Sequence, residues 1–344
     1  MFTPQAPMCR GALLFALVWA FAACSDDTTP PMDAGTSDAG RLRDVGIPDS
    51  GSAADVGSTD VGSADGSALG AVTTIDTQTS YISQSGNQRL IDIRLWYAED
   101  GPNTNKPLII VSHGGVGATG AQTRFAHLGF EYAEHGYVAA VLNHPPSPGR
   151  EQQHRVDRPS DVRAVLDHLT TFTMPINFSG RIDTENAGHI GHSYGAYTSH
   201  AVGGGVFDGN SFRDGRIRAI VPMSPQGDER FGSFDVQPDP RRPSSSNTWA
   251  SITIPAYVIF GEYEERFPTD ELHRRDDWRA QPYARYPDRI NKFMSIVPQA
   301  PHSAFGNQGP TDVQQFVAIN SRLFFDRFLK EESIDPCQIG LQVP

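Results

Sequence analysis

The run Gly191-His192-Ser193-Tyr194-Gly195 sets a serine between glycines two positions away on either side, after an apolar strand-like segment and ahead of small residues. This is the G-x-S-x-G pattern of a serine held on a sharp strand-to-helix turn, where the flanking positions must lack side chains. A serine hydroxyl is a weak nucleophile at neutral pH. It needs a base, an acid to orient that base and donors for an oxyanion. His302, just past the last predicted strand and before the last predicted helix, stands where a base would take the Ser193 proton and return it to a leaving group. The orienting carboxylate is expected at Glu264, three residues past Gly261; Glu262 and Glu265 on the same loop, and Asp228 after the preceding strand, stay open as alternatives. Clustered glutamates also read as a solvated loop face, which covers at least two of the three.

An oxyanion site has its own signal. Ser112-His113-Gly114-Gly115-Val116-Gly117 follows an apolar strand, and glycines let backbone N–H groups turn toward a substrate unobstructed. One donor is expected at Gly115 and the other at Tyr194, the residue after the candidate nucleophile. The glycine run completes neither a G-x-x-x-x-G-K-[ST] nor a G-x-G-x-x-G fingerprint, so a phosphate cradle is not expected. No zinc-ligand spacing is present, and neither a metal nor a cofactor is expected. Of the eleven histidines, His113 and His192 flank glycines and read as packing residues, and His273 lies in a charged surface run.

These groups must be carried by a scaffold. Val72 to Ser83 and Arg89 to Tyr97 read as two strands joined by a turn at Ser85-Gly86-Asn87. Short apolar runs follow at 107–112, 137–142, 187–191, 217–223, 254–260 and 292–297, suited to central strands buried on both faces. Helical patterns lie between them at 121–135, 159–171, 194–202 and 311–329. The alternation predicts an α/β class: a mainly parallel central sheet with helices on both faces and an antiparallel N-terminal edge.

Composition divides the chain in three. Residues 1–23 read as a signal peptide, with Arg10 ahead of an apolar run from Gly11 to Ala23 that is short for a membrane span. Phe21-Ala22-Ala23-Cys24 is similar to a bacterial lipobox, which implies lipid attachment at Cys24 and a membrane anchor. Residues 24–71 hold near-repeats such as Ala54-Asp55-Val56-Gly57-Ser58 and almost no large apolar side chain, and are expected to be a disordered tether. Between Ser25 and Gly70 nine aspartates and two arginines account for seven of the net charge of −12. The remaining part, 72–344, is mildly acidic without a basic patch, which excludes an electrostatic footprint for nucleic acid. Of three cysteines only Cys337 stands in that part, so no bridge inside it is expected.

Several of these runs together carry a resemblance. Ser112-His113-Gly114-Gly115, Glu134-His135-Gly136-Tyr137-Val138, Asn143-His144-Pro145, Arg158-Pro159-Ser160-Asp161-Val162, Gly191 to Gly195, Met223-Ser224-Pro225-Gln226-Gly227 and the loop at His302 resemble the secreted or lipoprotein α/β-hydrolases called dienelactone-hydrolase-like. The same order is similar to platelet-activating-factor acetylhydrolases and, more distantly, to bacterial cutinases and polyester hydrolases. The resemblance spans about Val72 to Leu329. It implies an α/β-hydrolase fold and a serine esterase acting on a small-molecule or lipid-like ester. True dienelactone hydrolases carry cysteine where position 193 is serine, so their substrate is not carried over. In the dienelactone-hydrolase-like group the acid follows the strand ending at Phe260, which implies Glu264, although aspartate is usual there. In the acetylhydrolases it falls one strand earlier, at Asp228.

The same residues leave two other functions open: hydrolysis of polyesters or phospholipid acyl chains, and a surface binding lipoprotein that keeps a degenerate hydrolase head. The long segment 226–251, rich in Pro, Ser, Arg and Asp, reads as a lid or as a surface excursion anchored by Phe231, Phe234 and Trp249.

Overall fold

Alternate residues of the strand Asn105–Ser112 serve two different layers, Leu108 and Ile110 facing one apolar cluster and Ile109 and Val111 the other. A strand buried on both faces reads as a continuous apolar run, which is why 107–112 carries no alternation in its sequence. The computed structural model describes residues 70–115, 120–147, 151–207, 209–227, 249–264 and 278–340. By its contacts the chain divides into Met1–Gly66 and Ser67–Pro344, and every described residue lies in the second unit. The expected signal peptide, Cys24 and the tether as far as residue 69 lie outside the described residues, as do Asp228, Glu265, Phe231, Phe234 and His273; the last two tether residues, Gly70 and Ala71, pair with Glu99 through backbone hydrogen bonds of 2.9 and 3.0 Å.

The described residues form an eight-stranded sheet. Its strands are β1 (Val72–Ile82), β2 (Gln88–Ala98), β3 (Asn105–Ser112), β4 (Val138–Asn143), β5 (Arg181–His192), β6 (Ile217–Met223), β7 (Ala256–Gly261) and β8 (Lys292–Val297). In space they run β1-β2-β4-β3-β5-β6-β7-β8. The β1–β2 and β2–β4 pairs are antiparallel and all later pairs parallel, so the expected α/β class with its antiparallel N-terminal edge is what the chain forms. On one face pack α3 (Glu151–Thr171) and α4 (Tyr194–Val202), through Val162, Val165, Leu166 and Tyr197. On the other pack α2 (Ala126–Glu134), after the single turn α1 (Ala121–Arg124), and α6 (Thr311–Leu329), through Leu128, Tyr132, Phe316 and Phe325. A short α5 (Gln281–Arg285) precedes β8.

Most element ends fall within two residues of the sequence expectation, the helix expected over 121–135 is interrupted at Phe125, and two starts differ by more. Strand β5 begins at Arg181, six residues before the apolar run at 187, because its first part pairs with Asn105 to Pro107 across a register shift. Helix α3 begins at Glu151, with Pro159 inside it instead of at its first turn. Proline there has no N–H for the Arg155 carbonyl four residues earlier. The Tyr197 hydroxyl on α4 donates to that carbonyl at 3.0 Å, so the Arg155 carbonyl keeps a partner where the helical hydrogen bond is missing. Cys337, the one cysteine among the described residues, donates its backbone N–H to Asp335 Oδ1 at 2.9 Å. Among the described residues no helix is long and apolar enough to cross a membrane.

Candidate active site

The C-terminal ends of β3, β5, β7 and β8 carry the glycine loop, Ser193, Glu264 and His302 at one edge of the sheet. At the end of β5 the chain reverses through Ser193, whose φ of 55° and ψ of −113° are rare for a residue with a side chain. The reversal leaves no room at its flanks. A Cβ on Gly191 would lie 2.2 Å from the Gly195 carbonyl oxygen, and one on Gly195 would lie 2.2 Å from the Ser112 carbonyl oxygen. The glycines of the pentapeptide are therefore required by close backbone approach. The Ser193 N–H is anchored on the Met223 carbonyl at 2.9 Å, and Tyr194 opens α4, where the first N–H groups have no partner within the helix.

His302, five residues past β8, meets Glu264, three residues past β7. Their Nδ1 and Oε2 atoms are 2.7 Å apart. Since a carboxylate only accepts, Nδ1–H is the donor and Nε2 is left for a proton in transfer. Glu264 is buried, with 5% of its side chain exposed, whereas His302 keeps 31%. Oε1 of Glu264 accepts from the Ser224 hydroxyl and from the Gly261 N–H, and Oε2 also binds Arg279 Nε at 2.9 Å. Burial alone would raise the Glu264 pKa, but the His302 hydrogen bond, the Arg279 and His302 charges and the Ser224 hydroxyl outweigh it and hold it at about 2. Arg279 also donates to the Ser224 and Pro225 carbonyls at 2.7 and 2.9 Å, tying the loop after β6 to the acid.

The acid alternatives separate cleanly where they are described. Glu262 is exposed and accepts from the Gln299 N–H at 3.1 Å. Glu264 is the carboxylate that the fold brings to His302. Ser224 and Arg279, its other partners, carried no signal in sequence beyond Ser224's place in a resembling run.

Against Ser193 lies the glycine loop after β3. A Cβ on Gly114 would sit 2.8 Å from Ser193 Cβ, so this glycine is what allows the loop to abut the candidate nucleophile. Gly115 has φ 71°, a left-handed conformation suited to glycine. The His113 ring is buried beneath. It donates from Nδ1 to the Gly114 carbonyl at 2.7 Å and accepts at Nε2 from the His144 N–H at 3.1 Å. Burial and then the Arg158 charge push its pKa down to about 2, so it stays neutral. Because a trans peptide sets C=O and the following N–H in opposite directions, fixing the Gly114 carbonyl on this ring directs the Gly115 N–H away from it.

A second constellation of the same residue types lies deeper. Ser112 Oγ is 2.9 Å from His144 Nε2, and His144 Nδ1 is 2.9 Å from Asp161. Ser112 and Asp161 are 0% exposed and His144 2%, so no substrate can reach Ser112, whereas Ser193 is partly exposed. The chain of polar contacts continues to a bidentate Arg89–Asp161 pair on one side and through His189 and Ser199 to the Gly195 carbonyl on the other. It is a buried brace beneath the Ser193 turn, invisible in sequence because its members come from six separate segments of the chain.

Other expected residues fall outside the site. Trp249 is fully buried in the core beside the His200 ring, an anchor and not a cleft wall. Among the described residues the one cluster with metal-type ligands, Glu131, Glu134 and His135, ends α2 at the opposite edge of the sheet, and Glu131 there binds Arg322 at 2.9 Å. A polar cavity of about 630 Å³ lined by Asp76, Thr77, Gln78, Asp92, Ile93 and Gln122 belongs to the antiparallel edge, and Ser193 does not line it.

No family model matches the chain, and no curated protein matches it. Among solved structures it is similar to the crystal structure of hypothetical protein PA2218 from Pseudomonas aeruginosa, with a TM-score of 0.51 and 14% identity over 75% of this chain and 94% of that one. At that identity the likeness shows the fold alone.

Proposed function

We propose that this chain is a serine esterase of α/β-hydrolase type, hydrolysing carboxylic esters of small molecules or lipid-like compounds. The observation that carries the reading is the His302–Glu264 pair at 2.7 Å, set at the same sheet edge as the strained Ser193 turn. In this reading His302 Nε2 takes the Ser193 proton as Oγ attacks the ester carbonyl. The resulting oxyanion is held by N–H groups of Gly115 and Tyr194, each such donor being worth about 3–4 kcal/mol in comparable sites. The proton passes from His302 to the leaving alkoxide, and water deprotonated by His302 then releases the acid and regenerates Ser193. Glu264 holds the ring with Nε2 toward the serine and stabilises the imidazolium.

The proposal extends to location: an exported head, lipid-anchored at Cys24 in the bacterial cell envelope and carried on the residues between 24 and 71. Incorporation of labelled fatty acid into the full chain, lost on Cys24→Ala, is the expected outcome there.

The test of the chemistry is Ser193→Ala. Hydrolysis of short p-nitrophenyl esters is expected to vanish while the circular dichroism spectrum stays unchanged. Wild-type activity in this variant would refute the mechanism, and a folded wild-type protein whose Ser193 ignores a fluorophosphonate probe would favour a binding protein. A chain-length series with insoluble polyester separates a small-ester enzyme from a cutinase-like one.

A further inference from the structure

Arg158 is 0% exposed in α3, and burying a guanidinium is costly unless it is well paired. Its hydrogen-bond partners among the described residues are two backbone carbonyls: Nη1 donates to His113 O at 2.7 Å and Nη2 to Gly115 O. The same guanidinium lies 5.2 Å from the ring centroid of Tyr194, within cation–π range. Burial pushes its pKa down to about 10, which leaves it charged at neutral pH.

Both segments expected to supply oxyanion donors therefore rest on one buried cation. With the His113 ring holding the Gly114 carbonyl, three successive carbonyls, 113 to 115, are each fixed by a side chain. Fixing a carbonyl fixes the N–H of the next residue in the opposite sense, so the Gly114 and Gly115 N–H directions are set before substrate arrives. Donors oriented in advance need no reorganisation as charge develops, the condition under which an oxyanion site is most effective. A planar fork can reach two carbonyls at once, whereas a lysine ammonium is a single point.

We propose that Arg158 is a positioning residue of the oxyanion site, bracing the glycine loop after β3 and coupling it to Tyr194 at the start of α4. The inference rests on the esterase reading above.

The test uses the full chain carrying Arg158→Lys, with Arg158→Gln, which buries no charge, as the companion if lysine prevents folding. Expected is a fall in kcat on p-nitrophenyl acetate of about 10- to 100-fold, below the roughly 10²–10³ for loss of a whole donor, with KM little changed. The inhibition constant of a trifluoromethyl ketone, which forms an oxyanion on Ser193, should rise by the same factor. A folded variant with unchanged kcat and unchanged ketone inhibition overturns the proposal, as does a loss confined to melting temperature. Ser193→Ala run in parallel separates the two failures. If it is inactive and the Arg158 variants are unimpaired, only the positioning role falls; if it retains activity, the esterase reading falls and takes this role with it.

Discussion

The His192 ring donates from Nε2 to the backbone carbonyl of His302 at 2.9 Å, with the two ring centroids 4.6 Å apart. The direction follows from chemistry, since a carbonyl only accepts. The second position of the pentapeptide thus reaches the loop that carries the proposed base, 110 residues later. Burial, followed by the His302 charge, pushes the His192 pKa down to about 3, so the donor persists throughout the neutral range and this residue is a brace, not a base.

Replacing His192 tests that brace. His192→Gln retains an N–H donor of similar reach and is expected to keep most of kcat. His192→Leu removes it, and kcat on p-nitrophenyl esters is expected to fall by about 10- to 100-fold, since misplacement of a catalytic group by about 1 Å costs up to that much. Equal rates in the two variants would remove His192 from any account of how His302 is held.

Glu264 makes stability depend on pH in a stated direction. Its pKa is about 2 in the fold against an ordinary 4.5, so the native state favours the ionised form. The resulting stabilisation, on the order of 3 kcal/mol, is complete above about pH 4.5 and disappears as pH falls through 2. In Glu264→Gln that dependence should be absent. Urea midpoints between pH 5 and 2 should decline more steeply in the wild type than in the variant; parallel declines would contradict the assignment.

The link between Pro159 and Tyr197 predicts a conditional effect. Tyr197→Phe removes the hydroxyl that bonds the Arg155 carbonyl, a buried acceptor that proline cannot serve, and should cost about 1–2 kcal/mol. With Pro159→Ala in the same chain an N–H is restored to the helix, and the Tyr197→Phe penalty should shrink toward zero. Chemical denaturation of the four members of this cycle measures the coupling; additive effects would show that the hydroxyl does not stand in for the missing N–H.

Local spacing by itself determined much of this protein. The runs at 217–223 and 292–297 and the helical patterns at 194–202 and 311–329 coincide with β6, β8, α4 and α6, because burial on both sheet faces and a 3.6-residue period leave their mark within a few residues of chain. The turn at Ser193 was legible in part for the same reason, Gly191 being required by the Gly195 backbone four residues on, whereas Gly195 is required by the distant Ser112 and His113 backbone. Contacts across loops decided the rest. Four carboxylates were open as the acid, and only the pairing of β7 with β8 brings Glu264, 38 residues away, onto His302. Ser224 and Arg158 stand in runs that carry the resemblance but with no role attached to them, and Arg279 has ordinary sequence surroundings. Their roles come from which side chain points inward where separate elements converge, and that is set by sheet order and helix packing, not by neighbours along the chain.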